Sequence, residues 1–113
     1  MIVLRLAAAV GLLVLVALLL DPTNSAAQSF ALNDKVGHVI AFVAISLCIA
    51  ILRPRQPLWA TAALALSIGG ATEIIQSFIG RSGSTLDFAA DVMGVSLALL
   101  VISVKRIAWR DRP

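Results

Sequence analysis

Charge is what this chain has least of. Only 13% of its 113 residues are Asp, Glu, Lys or Arg, about half the roughly 25% of an ordinary soluble domain. That deficit, with 60% hydrophobic residues and a mean hydropathy of +1.01, excludes a core built by burial from water. The chain reads as one membrane domain, residues 1–113, in which helices pack against one another in lipid. Cysteine is nearly absent as well. Cys48 stands alone in the apolar run IAFVAISLCIAIL, so no internal disulfide can form, and the residue reads as a small core side chain. Also missing is any basic stripe interleaved with aromatics. The net charge of +3 and pI of about 10 therefore do not make a nucleic-acid surface. No HExxH or CxxC spacing occurs, so neither a metal nor another cofactor is expected. There is no G-x-S-x-G nucleophile motif either, since RSGS fails that pattern.

What is abundant is long apolar sequence. A helix needs roughly 20 residues to cross about 30 Å of hydrocarbon, and four runs qualify, at residues 2–20, 36–52, 58–79 and 86–104. The connectors DPTNSAAQSFALNDK, RPRQP and GRSGST carry the Pro, Gly, Asn, Ser and charged residues that end helices. They are short enough to make neighbouring helices antiparallel. The expected fold is an all-α integral membrane bundle of four helices.

The basic residues fix an orientation. Arg5, Arg53, Arg55, Lys105, Arg106, Arg110 and Arg112 fall on one side of such a bundle, and only Lys35 and Arg81 fall on the other. By the positive-inside rule both termini are expected in the cytoplasm, with residues 21–35 and 80–85 outside. The KRIAWRDRP tail then reads as an anionic-lipid anchor, with Trp109 at the interface. Arg5, the run 6–20 and the SAAQ that follows also fit a cleavable signal peptide with Ser25 and Ala27 at its small positions. Either alternative delivers the next segment to the same face.

Polar residues concentrate at the outward ends of three spans. Gly69, Glu73, Gln76 and Gly80 step by four, three and four residues and so share a face. Asp87, Asp91, Gly94 and Ala98 do the same in the last span, and Asp34, His38 and Ala41 in the second. At about 1.5 Å per residue, Glu73 lies roughly 10 Å inside its helix end, and His38 and Asp91 about 6 Å inside theirs. The depths match closely enough to predict one polar slab, with Asp34, Lys35 and Arg81 at its rim. A carboxylate facing lipid is disfavoured by about 2.5 to 3.5 kcal/mol, which turns Glu73 toward the bundle. Gly69, Gly94 and Ala41 would let the backbones approach closely. The remaining polar positions, Ser46, Thr61, Ser67, Ser96 and Ser103, can bond back to their own helices.

NDKVGHVIAF at 33–42, E-x-x-Q at 73–76, GR at 80–81, L-D at 86–87 and the following Gly94 resemble the pattern of the VanZ-like family of small bacterial membrane proteins. The resemblance runs over essentially the whole chain. It implies a four-helix protein of the bacterial cytoplasmic membrane with its polar motif outward, and a founding member associated with low-level teicoplanin resistance. The matching positions are Asp34, Lys35, His38, Glu73, Gln76, Arg81, Asp87 and Gly94. Two positions depart from the pattern. Ile79 stands where Pro often precedes the Gly-Arg, and Asp91 where Asn is common, which makes this cluster more acidic.

Each of these residues has a functional and a structural reading. Glu73 is either part of a site or a helix-to-helix hydrogen bond, with Gln76 or His38 as partner. His38 can act as a base, a donor or a ligand, oriented by Asp34 or Asp91, or can close the bundle mouth. A His with Glu73, Asp87 and Asp91 has the donor atoms for a divalent cation, without a ligand spacing that recommends one. Arg81 offers a fork of donors to a phosphate or carboxylate, or else a salt bridge to Asp87 or simple contact with lipid headgroups. Asp34 and Asp87 sit at helix starts, where capping is the simpler role, Asp87 through the S-T-L-D pattern that begins at Ser84.

The function this favours is binding of an amphiphilic, anionic cell-envelope ligand, a lipid-linked precursor or a glycopeptide, by Asp34, Lys35, His38, Glu73, Gln76, Arg81, Asp87 and Asp91. The competing reading is a hydrolase or transferase acting on a lipid-linked phosphate or ester, with His38 as base, Glu73 as acid and Arg81 as anion clamp. The missing nucleophile motif weighs against turnover. A third is a passive assembly or stability factor of an envelope complex. Membrane lipids are partners in every case, nucleic acid in none, and an oligomer is compatible with all three.

Overall fold

The computed structural model describes residues 1–21, 34–79 and 85–113. Readings that fall on Ser25, Ala27, Gly80, Arg81 and Ser84 lie outside the described residues. Among those described there are four helices and no strand: α1 Ile2–Leu19, α2 Asp34–Leu52, α3 Leu58–Phe78 and α4 Thr85–Arg110. All four are long and apolar enough to cross a membrane. Even α1, the shortest at 18 residues, extends about 27 Å.

The helix ends follow local chemistry. α2 stops at Leu52, just ahead of Arg53 and Pro54, because the residue before a proline is driven out of the helical region. Pro57, extended at φ −67° and ψ 158°, is the N-cap from which α3 starts. α4 departs most from expectation, running 26 residues to Arg110 rather than stopping near 104. KRIAWR contains no Gly or Pro to break it, and its basic side chains suit the negative end of a helix dipole. The tail also makes contacts within the protein. Arg106 Nη2 donates to the Gln56 carbonyl at 3.0 Å and the Pro54 carbonyl at 3.4 Å, tying α4 to the α2–α3 connection. The Arg112 guanidinium stacks 4.9 Å from the centre of the Trp109 ring.

α2 is the central element, packing against α1, α3 and most extensively α4. Of its buried side chains, His38, Phe42, Ile45, Ser46 and Ile49, the three apolar ones meet Leu19, Ala65 and Val95 in the core. Large apolar side chains elsewhere point outward, Leu13, Trp59, Phe78 and Leu100 among them. For a soluble protein such a surface would be a liability; facing lipid tails it is ordinary. Apolar contact between helices gains little in that solvent, so close packing and polar contacts must hold the bundle together.

Gly94 supplies the close packing. A Cβ there would meet the Val39 carbonyl oxygen of α2, and would lie 2.9 Å from Phe42 Cβ. Gly69 on α3 is nearly as confined, its Cβ position lying 3.3 Å from the Phe42 ring. The partner of Gly94 on α2 is thus the Val39–Phe42 edge, while Ala41 is half-buried and packs on the periphery of the core. Gly11 of α1 faces the Sγ of Cys48, with its Cβ position 3.7 Å away. The serines divide. Ser67, Ser96 and Ser103 donate to carbonyls of their own helices, whereas Thr61 accepts from Gln56 Nε2 at 2.8 Å and Ser46 is sealed in the core.

Candidate functional site

Two polar contacts join α2 to α4, one turn apart. Lys35 Nζ donates to Asp87 Oδ1 at 2.6 Å. His38 Nδ1 lies 2.7 Å from Asp91 Oδ1. The step from 35 to 38 on α2 matches the step from 87 to 91 on α4, since positions three or four apart share a helix face. The same register continues inward to Val39, Phe42 and Gly94. Closeness of the two backbones at Gly94 and the meeting of side chains above it are one geometric fact.

Exposure falls steeply along this ladder. The Lys35 side chain is 44% accessible, His38 only 2% and Asp91 0%. Beside an ionised Asp91, which can only accept, Nδ1 carries a proton, and in a neutral imidazole Nε2 then carries the lone pair. That Nε2 is buried with no hydrogen-bond partner among the described residues, as is Asp91 Oδ2. Each such atom is disfavoured by about 1 to 3 kcal/mol. The nearest acidic atom across from Nε2 is Asp34 Oδ2, at 4.0 Å on the same helix.

α3 provides the second wall. Gly69 makes room for Asp91, whose Oδ2 lies 3.1 Å from where a Cβ would stand. Thr72 Oγ1 turns back to the Gly69 carbonyl at 2.9 Å. Buried positions run Thr61, Ala65, Gly69, Thr72 and Gln76, so the inward face is centred between the expected 69 and 76 line and Thr72. Glu73 flanks this face half-buried. One of its carboxylate oxygens nevertheless comes within 4.8 Å of a His38 ring nitrogen and an Asp91 oxygen.

α1 closes the site from a direction that no pattern in the sequence announces. Gln76 Nε2 donates to the Leu19 carbonyl at 2.5 Å. The last carbonyls of a helix lack intrahelical donors, and here a buried amide from another helix supplies one. Requiring a donor for the end of α1 is the signal that would have found it.

Of the residues expected to form the site, Asp34, Lys35, His38, Glu73, Asp87 and Asp91 come together at one end of the bundle. Gln76 joins them facing α1, and Arg81 lies outside the described residues. His38 meets Glu73 only as a close neighbour; its hydrogen bond goes to Asp91. Asp87 is engaged by Lys35 rather than serving as a cap alone. The reason in both cases is the α2–α4 approach at Gly94, where a Cβ would meet the Val39 carbonyl oxygen. Chemically, the cluster offers a buried imidazole whose Nε2 has no hydrogen-bond partner among the described residues, several carboxylates and an ammonium at the rim. No family model, no curated protein and no solved structure matches this chain.

Proposed function

We propose that the chain is a VanZ-like protein of the bacterial cytoplasmic membrane that binds an amphiphilic anionic cell-envelope ligand. In this reading neighbouring helices are antiparallel, both termini are cytoplasmic, and the polar cluster opens outward. The seven-to-two distribution of basic residues supports that orientation. The observation that carries the binding reading is the grading of the cluster. A half-exposed ammonium, Lys35, stands over buried Asp87, His38 and Asp91, at one end of a bundle whose core is otherwise mainly apolar. Intramembrane ionisable groups are expensive and mark sites more often than packing. A lipid-linked precursor suits the surroundings, its chain lying along the apolar exterior and its anionic group meeting Lys35, with Arg81 as a second cation.

Protein in lipid nanodiscs, titrated with a lipid-linked cell-wall precursor and with teicoplanin, tests this. Saturable binding of at least one is expected, weakened at least about tenfold, or about 1.4 kcal/mol, by Arg81→Ala. Absence of binding, or equal affinity in the variant, would sink the reading.

The His38–Asp91 hydrogen bond favours a second reading. An imidazole oriented by a carboxylate, with its other nitrogen unprotonated, is a general-base arrangement. His38 would then act as base and Glu73 as acid on a lipid-linked phosphate or ester. Turnover of the bound precursor in the same nanodiscs, lost in both His38→Ala and Glu73→Gln, would establish it over simple binding.

A further inference from the structure

The polar cluster contains more than an anion site needs. His38, 2% exposed, presents a buried Nε2 with no hydrogen-bond partner among the described residues, aimed toward Asp34 Oδ2 at 4.0 Å. One ring nitrogen of His38 and one carboxylate oxygen each from Asp34 and Asp87 lie within 4.8 Å of one another. From this juxtaposition we infer that Asp34, His38 and Asp87 form a binding site for a divalent first-row transition-metal cation.

The geometry of the imidazole selects the site. Metal-bound histidines characteristically donate their other ring N–H to a carboxylate, which fixes the tautomer and aims the ligating nitrogen. Asp91 does this here, through the 2.7 Å contact at Nδ1, so Nε2 is the ligating atom and Asp91 is a positioning residue. Two metal–ligand bonds of about 2.1 Å span at most about 4.2 Å. The 4.0 Å separation of Nε2 and Asp34 Oδ2 falls inside that span, and an Asp87 carboxylate oxygen lies within 4.8 Å of a His38 ring nitrogen and an Asp34 oxygen.

His38 is also within reach of Glu73 and Asp91 as an alternative set. Asp91 is already committed to Nδ1 by its 2.7 Å contact, whereas Asp34 Oδ2 stands 4.0 Å from Nε2, which favours the set with Asp34 and Asp87. One imidazole with two carboxylates favours zinc, manganese or cobalt over calcium, which prefers an all-oxygen shell. Asp34, with a 37% accessible side chain, gives the entry path. Lys35, 44% accessible and bonded to Asp87, competes with the cation for that carboxylate.

This inference stands apart from the anionic-ligand reading, because metal and protein alone test it. Full-length protein, purified in detergent and stripped with a chelator, is titrated with Co²⁺ and followed by visible absorption, then back-titrated with Zn²⁺. One Co²⁺ per chain is expected, displaced by Zn²⁺. Asp34→Asn should weaken binding at least about tenfold, and Asp91→Asn about 10- to 100-fold, the usual range for an orienting partner. Glu73→Gln should leave the affinity essentially unchanged. Asp34 is the informative variant, since its half-exposed side chain can be neutralised without opening the core. The inference is overturned by absence of saturable binding, by affinity unaltered in Asp34→Asn, or by binding lost in Glu73→Gln.

Discussion

A histidine sealed inside a helix bundle keeps its place only if its polar atoms are accounted for, and at His38 the account is half filled. Nδ1 is satisfied by Asp91, while Nε2 is not satisfied by any described residue. That imbalance separates His38 from a residue retained only for packing, whose hydrogen-bonding groups would ordinarily all be matched. The His38–Asp91 contact is itself measurable. Unfolding of the wild type, His38→Ala, Asp91→Ala and the double variant in a mild detergent should yield a coupling of about 0.6 kcal/mol or more, the mean for polar pairs inside membranes. Single losses of about 1 to 3 kcal/mol each are expected, because each leaves a buried partner unmatched. Strictly additive losses would show that the two side chains do not interact.

At the scale of the helix, glycines set how near α2 and α4 approach. Gly94 and Gly70 make the contrast testable. A methyl at Gly94 would collide with the Val39 carbonyl and crowd Phe42, whereas a methyl at Gly70 meets nothing within 4 Å. Gly94→Ala should therefore destabilise the protein by about 1 to 3 kcal/mol through overpacking. Gly70→Ala should be neutral or stabilising by up to about 1 kcal/mol, from helix propensity alone. Thermal unfolding of the two variants side by side checks this, and equal behaviour would contradict the close approach. The existence of Gly94 on the buried stripe with Asp87, Asp91 and Ala98 is legible in the sequence, because spacing fixes which side chains share a face. Its partner is not legible. Whether Ala41 or the Val39–Phe42 edge faces Gly94 depends on the rotation of α2 about its own axis, which three contacting helices decide together.

For the whole molecule, four apolar runs and their breakers were enough to anticipate four helices long and apolar enough to span a membrane, with bounds displaced by a residue or two except in α4. There hydropathy falls at Lys105 but helix formation does not, since polarity alone does not end a helix. The clustering of Asp34, His38, Glu73, Asp87 and Asp91 could likewise be anticipated from matched depths. Partner choice could not, because depth orders residues along the bundle axis and leaves the lateral distances undetermined. Lys35 reaching Asp87, His38 choosing Asp91 over Glu73, and Gln76 turning to the Leu19 carbonyl are all lateral facts.

The binding and catalytic readings alike require that the graded cluster open on the outer face of the membrane. Its rim residue, Lys35, is accessible, so a cysteine placed there reports the face directly. In a Cys48→Ala background, Lys35→Cys should react in intact cells with a membrane-impermeant maleimide added from outside. Reaction seen only in inverted vesicles would put the cluster on the cytoplasmic side and contradict the proposed orientation, together with the envelope ligand that depends on it.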